Sequence, residues 1–311
     1  MDFESVFNTS GEDLRIAVVG DCILDEHVFC EVLGISPEDD LAPKLRVRKR
    51  RFSLGGAANV AANLKTMGVG KVFLLGQMDN VCDLQHTSFL NSTFHALCAD
   101  KDIIALMVQN GVDIPTKTRY VTDHGRHVCR VDHERPERLG VEKVEEVLAN
   151  LDANGPFPFI VVSDYAKGMI NNELMEGLQS RGKLIVDPKF RRIEGYGKPY
   201  VVTPNFREWM EFEYSVPDNV DFTVVTIGEK GCLVFTQSDK LTFGVRSREV
   251  GDPTGCGDSF VAGLARALLA GVRMPDACRF ANAAGACAFD YTGVHAVTLS
   301  EVRHELGTFA Y

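Results

Sequence analysis

Six short runs carry almost nothing but apolar side chains: RIAVVG (15–20), KVFLLG (71–76), FIVVSD (159–164), KLIVD (183–187), YVVT (200–203) and FTVVTIG (222–228). A strand with one wet face alternates polar and apolar positions, so continuous runs of this length predict strands covered on both faces. Helix-length stretches lie between them, including GVEKVEEVLANL (140–151) and NNELMEGLQSRG (171–182). The order is therefore β-α-β, which predicts an α/β fold around a mainly parallel sheet. Two stretches break that rhythm. Residues 26–53 and 116–132 read as short alternating strands, the second as two arms around the turn DHGR. They predict a small β-sheet lid over one edge of a single domain that spans residues 1–311.

Composition narrows the function. A length of 311 residues with 45% hydrophobic content supplies a substantial core. A formal net charge of −10 argues against a general nucleic-acid surface, and the one basic run, RVRKRR (46–51), reads as a strand face. Nine cysteines without a C-x-x-C pair predict reduced, buried thiols rather than disulfides or a metal site. The acidic start lacks a basic-then-apolar leader, and no apolar run reaches bilayer length. A cytoplasmic protein with no membrane partner is the expectation.

The stretch GDPTGCGDSF (251–260) carries the chemistry. Phe260, Leu264, Ala267 and Leu268 follow at one-face helical spacing up to Gly271, so the glycines sit at a helix N-terminus. Unpaired amides and the positive end of the helix dipole favour an anion there, and glycines let it approach the backbone. The amides of Gly255, Cys256 and Gly257 are the candidate anion hole. Asp258 is the candidate general base, kept ionised by the dipole, for a hydroxyl attacking a phosphoryl group. A plain strand-to-helix turn is the alternative. There is no G-x-x-x-x-G-K-[ST] in the chain, and Phe260 stands where a dinucleotide fingerprint needs its third glycine.

This loop, together with LGGAANVAANLKTMG (54–68) about two hundred residues upstream, resembles the paired signatures of the ribokinase or PfkB family of sugar kinases. The resemblance implies a ribokinase-like three-layer α/β/α sandwich that moves the γ-phosphoryl group of ATP, with Mg2+, to a sugar hydroxyl. Within that family GDCILDEHV (20–28), ISPE (35–38), RVDHE (130–134), SDYAKG (163–168) and VDPK (186–189) are most similar to the heptose 7-phosphate kinases, here without a nucleotidyltransferase half.

By that likeness Asp21, Asp25, Gly55, Gly56 and Asn59 face the substrate. Close helix packing through small residues is the alternative for the glycine-alanine run. Asn205 and Glu208 form the family's N-x-x-E element, with Glu208 holding magnesium through water; a helix cap is the other reading. Thr226, Gly228 and Gly231 match a turn beneath the nucleotide, or an ordinary glycine hairpin, and Asn282 matches a residue beside the adenine, or a satisfied interior side chain. Lys167 and Lys189 are candidates to face an acceptor phosphate, with Lys117 and Arg119 behind them. Gly34 departs from an arginine of the heptose kinases. The acceptor therefore stays open between heptose 7-phosphate at its anomeric hydroxyl and an unphosphorylated sugar such as ribose or fructose. A sugar- or nucleotide-binding regulator without turnover is the reading from another class. The likeness further suggests a monovalent cation near Asp252, and the exposed edges of a β lid suggest pairing across a homodimer.

Overall fold

The computed structural model describes residues 4–79, 85–122, 124–189, 193–213 and 218–308. Its strands in chain order are β1 (Arg15–Gly20), β2 (Cys22–Ser36), β3 (Asp39–Gly56), β4 (Lys71–Gln77), β5 (Ile104–Val108), β6 (Thr116–Thr122) and β7 (His127–His133). β8 (Phe159–Ser163), β9 (Lys183–Asp187), β10 (Val201–Val202), β11 (Phe222–Thr226), β12 (Cys232–Phe235) and β13 (Lys240–Phe243) follow. The helices are α1 (Glu4–Asn8), α2 (Ala57–Thr66), α3 (Gln85–Asp100), α4 (Val141–Asn154), α5 (Asn172–Leu178), α6 (Phe206–Glu211), α7 (Cys256–Leu269), α8 (Met274–Phe289) and α9 (Leu299–Thr308).

All six apolar runs form strands of one large sheet, ordered β13-β12-β11-β10-β9-β8-β1-β4-β5 among the described residues. From β5 to β11 the pairing is parallel, and β12 and β13 close one edge antiparallel. Alternate residues explain the lack of polar positions. Val18, Leu74, Val161 and Ile185 pack into the core shared with α2, α7 and α8, while Ala17, Val19, Val162 and Leu184 pack on the other side with α4 and α5. Helices thus cover both faces, giving the α/β/α sandwich that the sequence predicts.

The chain order creates the crevice. From β1 the large sheet is first extended to β4 and β5 on one side, and it then crosses to β8 and β9 on the other. Open α/β sheets bind ligands at the carboxyl ends of strands where the winding reverses. Here those ends deliver Asp21 after β1, Asp164 after β8 and Asp187 as the last residue of β9.

The second sheet has the order β3-β2-β6-β7. Its strands run past the stretches predicted for them, because pairing already begins at Cys22↔Gly56 and Ile23↔Gly55. Leu54, Gly55 and Gly56 complete β3. The basic run lies on the exposed part of β3, where Arg46 and Arg48 pair with Glu31 and Arg50 with Glu26. All eight described cysteines are free. Six are buried, Cys256 is half-buried and Cys129 is exposed. Among the described residues no helix is long and apolar enough to cross a membrane.

Helix α7 is pressed against α8 by small residues. A Cβ built on Gly263 would lie 2.8 Å from Ala284 Cβ and 3.2 Å from Ala281 Cα, and one on Gly285 would lie 3.2 Å from the Cys256 carbonyl oxygen. The start of α7 is therefore seated directly on α8. Gly263→Val should overpack this seam and lower unfolding free energy by about 1–3 kcal/mol. Urea denaturation with an unchanged midpoint would show that the contact yields freely.

Candidate active site

The loop before α7 turns on Gly255, its N-cap residue, at φ +81°. That backbone conformation favours glycine, and a Cβ there would also lie 2.9 Å from Asn59 Nδ2. A Cβ on Gly257 would meet nothing within 4 Å, so this position opens onto free space. The Cys256 N–H donates to the Pro253 carbonyl at 3.2 Å, while the N–H groups of Gly255 and Gly257 have no acceptor among the described residues. The anion hole proposed from the sequence is thus narrower than expected. Cys256 closes the turn with its amide, and the two glycines leave theirs available.

Asp258 lies in the first turn of α7 and is only 4% exposed. Two donors from distant elements hold its carboxylate. Asn59 on α2 donates from Nδ2 to Oδ2 at 2.7 Å, and the Tyr165 hydroxyl, just after β8, donates to Oδ1 at 2.6 Å. Burial raises the Asp258 carboxyl to about 6, against the Tyr165 and Asn59 hydrogen bonds, which favour the ionised form. The sequence suggested that the helix dipole would keep it ionised; burial pushes the other way. Behind Asn59, Asn63 accepts from Ser259 Oγ at 3.1 Å and from the Val297 amide at 2.8 Å, which fixes α2 against α7.

Two cavities meet here, and the Tyr165 side chain lines both. The first is walled by Asp187, Lys189, Asn205, Glu208, Thr226 and Gly257. The second is walled by Asp25, Gly56, Lys117, Arg119, Gly255 and Asp258. The polar character of the first follows from its carboxylates. Burial pushes Asp187 well above the usual carboxylate range, and the charges of Asp258 and Glu208 push in the same direction. In the second, Arg119 pairs with Asp25, and the Lys117 ammonium lies 5.2 Å from the Tyr165 ring centroid.

A family model described as pfkB family carbohydrate kinase matches residues 13–300. The chain belongs to the pfkB family of carbohydrate kinases. Kinases of this family use ATP, usually with magnesium. The bifunctional protein HldE of Campylobacter jejuni subsp. doylei is 32% identical over 313 residues, covering 93% of this chain and 64% of that protein. HldE of Bradyrhizobium sp. (strain ORS 278) is 32% identical over 325 residues, covering 95% and 64%. The chain spans 64% of the length of these curated relatives. Among solved structures, phosphofructokinase-2 from Escherichia coli in complex with potassium superposes with a TM-score of 0.77 at 17% identity, over 95% of this chain and 98% of that one. Ribokinase from Thermotoga maritima gives 0.71 at 19% identity, over 94% and 99%. At such identities the likeness shows the ribokinase-like fold.

The pfkB-type residues named from the sequence do not all reach the cavities. Asp21 lines neither cavity: its buried carboxylate accepts the N–H groups of Tyr165 at 2.8 Å, Lys167 at 3.0 Å and Met169 at 3.1 Å, and so shapes the loop after β8. Gly55 makes room for a neighbour, since a Cβ there would lie 2.1 Å from Asp25 Oδ2, whereas Gly56 lines the second cavity. Lys167 is paired with Glu134 outside both cavities. Lys189 is in the first cavity, 2.8 Å from Glu208 Oε1. The cations that face Asp258 across the second cavity are Lys117 and Arg119.

Asn205 and Glu208 do form a reciprocal cap on α6, each side chain bonded to the other's backbone N–H at 3.0 Å. Glu208 keeps Oε1 for Lys189 and still faces the first cavity, so cap and site coexist. Gly228 and Gly231, at φ +59° and +89°, shape the turn after Thr226, and Thr226 itself reaches the cavity. Asn282 bonds the Phe243 carbonyl at 3.0 Å from within α8, away from both cavities.

Tyr165 and Asp187 were quoted in sequence motifs without a role. Their signal was position, since each stands at or just past the carboxyl end of a parallel strand. Among the described residues no three His, Cys, Asp or Glu side chains are grouped to hold a metal ion. Magnesium keeps several waters and needs only one or two carboxylates beside phosphate oxygens, a donor set that Glu208 and Asp187 fit. Because Gly257 borders open space, Gly257→Val should leave the thermal midpoint nearly unchanged while lowering turnover by about 10²-fold. Full turnover in a folded Gly257→Val enzyme would remove this amide from the reaction.

Proposed function

We propose that this kinase transfers the γ-phosphoryl group of ATP to a hydroxyl of a phosphorylated sugar, with the anomeric hydroxyl of heptose 7-phosphate the favoured acceptor. One observation carries the reading: Asp258 is a buried carboxylate where two cavities meet, with phosphate-compatible amides beside it and two cations opposite. The likeness of the chain to HldE proteins supports the choice of acceptor.

In this reading the first cavity takes the triphosphate. Glu208 and Asp187 hold magnesium there through water, and the bound ion supplies neutralising charge for the phosphates. The Gly255 and Gly257 amides, at the positive end of α7, stabilise charge that develops on the moving phosphoryl group. Asp258 takes the proton from the acceptor hydroxyl as that oxygen forms its bond to phosphorus and the bond to the leaving diphosphate breaks. Asp25 accepts from sugar hydroxyls. Lys117 faces the acceptor phosphate, with Arg119 beside it paired to Asp25; Lys167 lies outside both cavities on Glu134, and Lys189 lies in the first cavity on Glu208. Burial lowers the Lys117 pKa, so this ammonium gains most from an incoming anion. Residues 1–311 act as one kinase unit with the second sheet as its lid, and a monovalent cation beside Asp252 is suggested by the potassium complex of phosphofructokinase-2.

Two copies pair through this sheet. Val32, Ile35, Leu41, Val47 and Val131 are exposed apolar side chains on it or at its tip, and β3 and β7 are its unpaired edges. Light scattering should give twice the chain mass, reduced to one in Ile35→Asp with Leu41→Asp. A monomer in the unaltered protein at micromolar concentration refutes the pairing.

The acceptor is tested by ADP release with heptose 7-phosphate beside ribose, fructose and fructose phosphates. Heptose 7-phosphate should give the highest kcat/KM, and Asp258→Asn should lower turnover at least ~10²-fold with nucleotide affinity within a few-fold. Preference for an unphosphorylated sugar would reject the acceptor reading. Saturable nucleotide binding without ADP release from any acceptor would instead indicate a regulator. With Asp258 raised to about 6, the base is lost as pH falls through that value, so turnover should rise with pH across it.

A further inference from the structure

The loop after β8 is built with unusual care around one side chain. Asp21 accepts three of its N–H groups, those of Tyr165, Lys167 and Met169. Asp164 accepts the N–H of Ala166 at 2.8 Å, and the backbone passes through positive φ at Ala166 (+56°) and Gly168 (+105°). A Cβ on Gly168 would lie 2.0 Å from the Glu137 carbonyl oxygen, so the turn is packed tightly as well as bonded. All of this holds Tyr165 at the boundary of the two cavities, with its hydroxyl on Asp258 and its ring beneath the Lys117 ammonium.

We propose that Tyr165 is a positioning residue for the phosphoryl transfer, orienting the Asp258 carboxylate and holding it in the proton-accepting form near neutral pH. The inference rests on the assignment of Asp258 as general base. A carboxylate on a short side chain can rotate, and a rotated base loses its line to the hydroxyl. Here Oδ1 is held by Tyr165 and Oδ2 by Asn59, from the loop after β8 and from α2, so the carboxylate plane is fixed from two sides. The remaining lone pairs are left to the second cavity, which Asp258 lines.

The hydrogen bond also acts on charge. Burial raises Asp258, and the Tyr165 hydroxyl is the first of the opposing contributions, ahead of Asn59. The phenol itself is pushed well above its ordinary value by burial and by the charges of Asp258 and Asp187, so it stays a donor throughout the useful pH range. The other charged groups around Asp258 are Asp25 on β2, Lys117 and Arg119 on β6, and Asp187 on β9. Replacing Tyr165 by phenylalanine alters none of them and keeps the ring beneath Lys117.

The test is the pH dependence of kcat for the full chain, its Tyr165→Phe variant and its Asp258→Asn variant, with KM for ATP measured in parallel. Tyr165→Phe should keep KM for ATP within about twofold, lose about tenfold in kcat at pH 8, and move the acid limb up by about one pH unit. Substituting 3-fluorotyrosine at position 165 keeps the shape but makes a stronger donor, so it should move the acid limb down. It provides the readout if the phenylalanine variant is unstable. An acid limb unmoved by both changes, with Asp258→Asn inactive, overturns the role of Tyr165 and leaves the base assignment standing. An active Asp258→Asn enzyme overturns both.

Discussion

A buried carboxylate at the start of a helix is the constraint around which this molecule is arranged. Taking the Asp258 charge out of water is costly, and burial raises its pKa to about 6 even with its hydrogen bonds in place. The compensation comes from Asn59 and Tyr165. Neither donor is near Asp258 in the chain, so the charge is tolerable only when α2, α7 and the end of β8 are all in place. Asn63 extends the requirement by bonding Ser259 on α7 and the Val297 amide ahead of α9. The site is thus a product of the tertiary fold rather than of the glycine loop.

Close approach follows from the same requirement. Asn59 can reach Asp258 only because Gly255 has no side chain in its path. The first residue of α7 rests on α8 because Gly285 lets the backbones meet, and Gly263 repeats that fit two turns further on. A run of alanines and glycines in α8, which on composition alone reads as featureless, is what sets the height of α7 against the sheet.

The legible parts of the sequence were those where one physical demand dominates. Strands covered on both faces must be apolar throughout, so β1, β4, β8, β9 and β11 could be read directly, and the helix after the sparse loop could be read from the one-face spacing of its apolar residues. Residues serving two demands were ambiguous, and Glu208 shows why: it caps α6 with one oxygen and meets Lys189 with the other. Long-range geometry was hidden. Tyr165 touches Asp258 across 93 residues of chain, and the cavity-facing role of Lys117 depends on its pairing opposite Asp25 in the small sheet. Asp21 looked like a sugar ligand because it follows β1, but three converging N–H groups claim it.

The two cavities differ in charge, and this bears on which molecule each is proposed to take. In the first, burial pushes Asp187 well above its usual range, and the charges of Asp258 and Glu208 add to the effect. A triphosphate could not settle there without a cation, whereas a triphosphate carrying magnesium would relieve the repulsion it meets. In the second cavity the charges balance in number, Lys117 and Arg119 standing against Asp25 and Asp258. Asp25 already answers Arg119, and Lys117 rests on an aromatic ring with its ammonium disfavoured by burial. A neutral sugar would leave that ammonium as it is, while the phosphate of the proposed acceptor would add to the charge of Asp25 in stabilising it. In the proposed reading, charge thus helps to sort donor from acceptor alongside the recognition of hydroxyls.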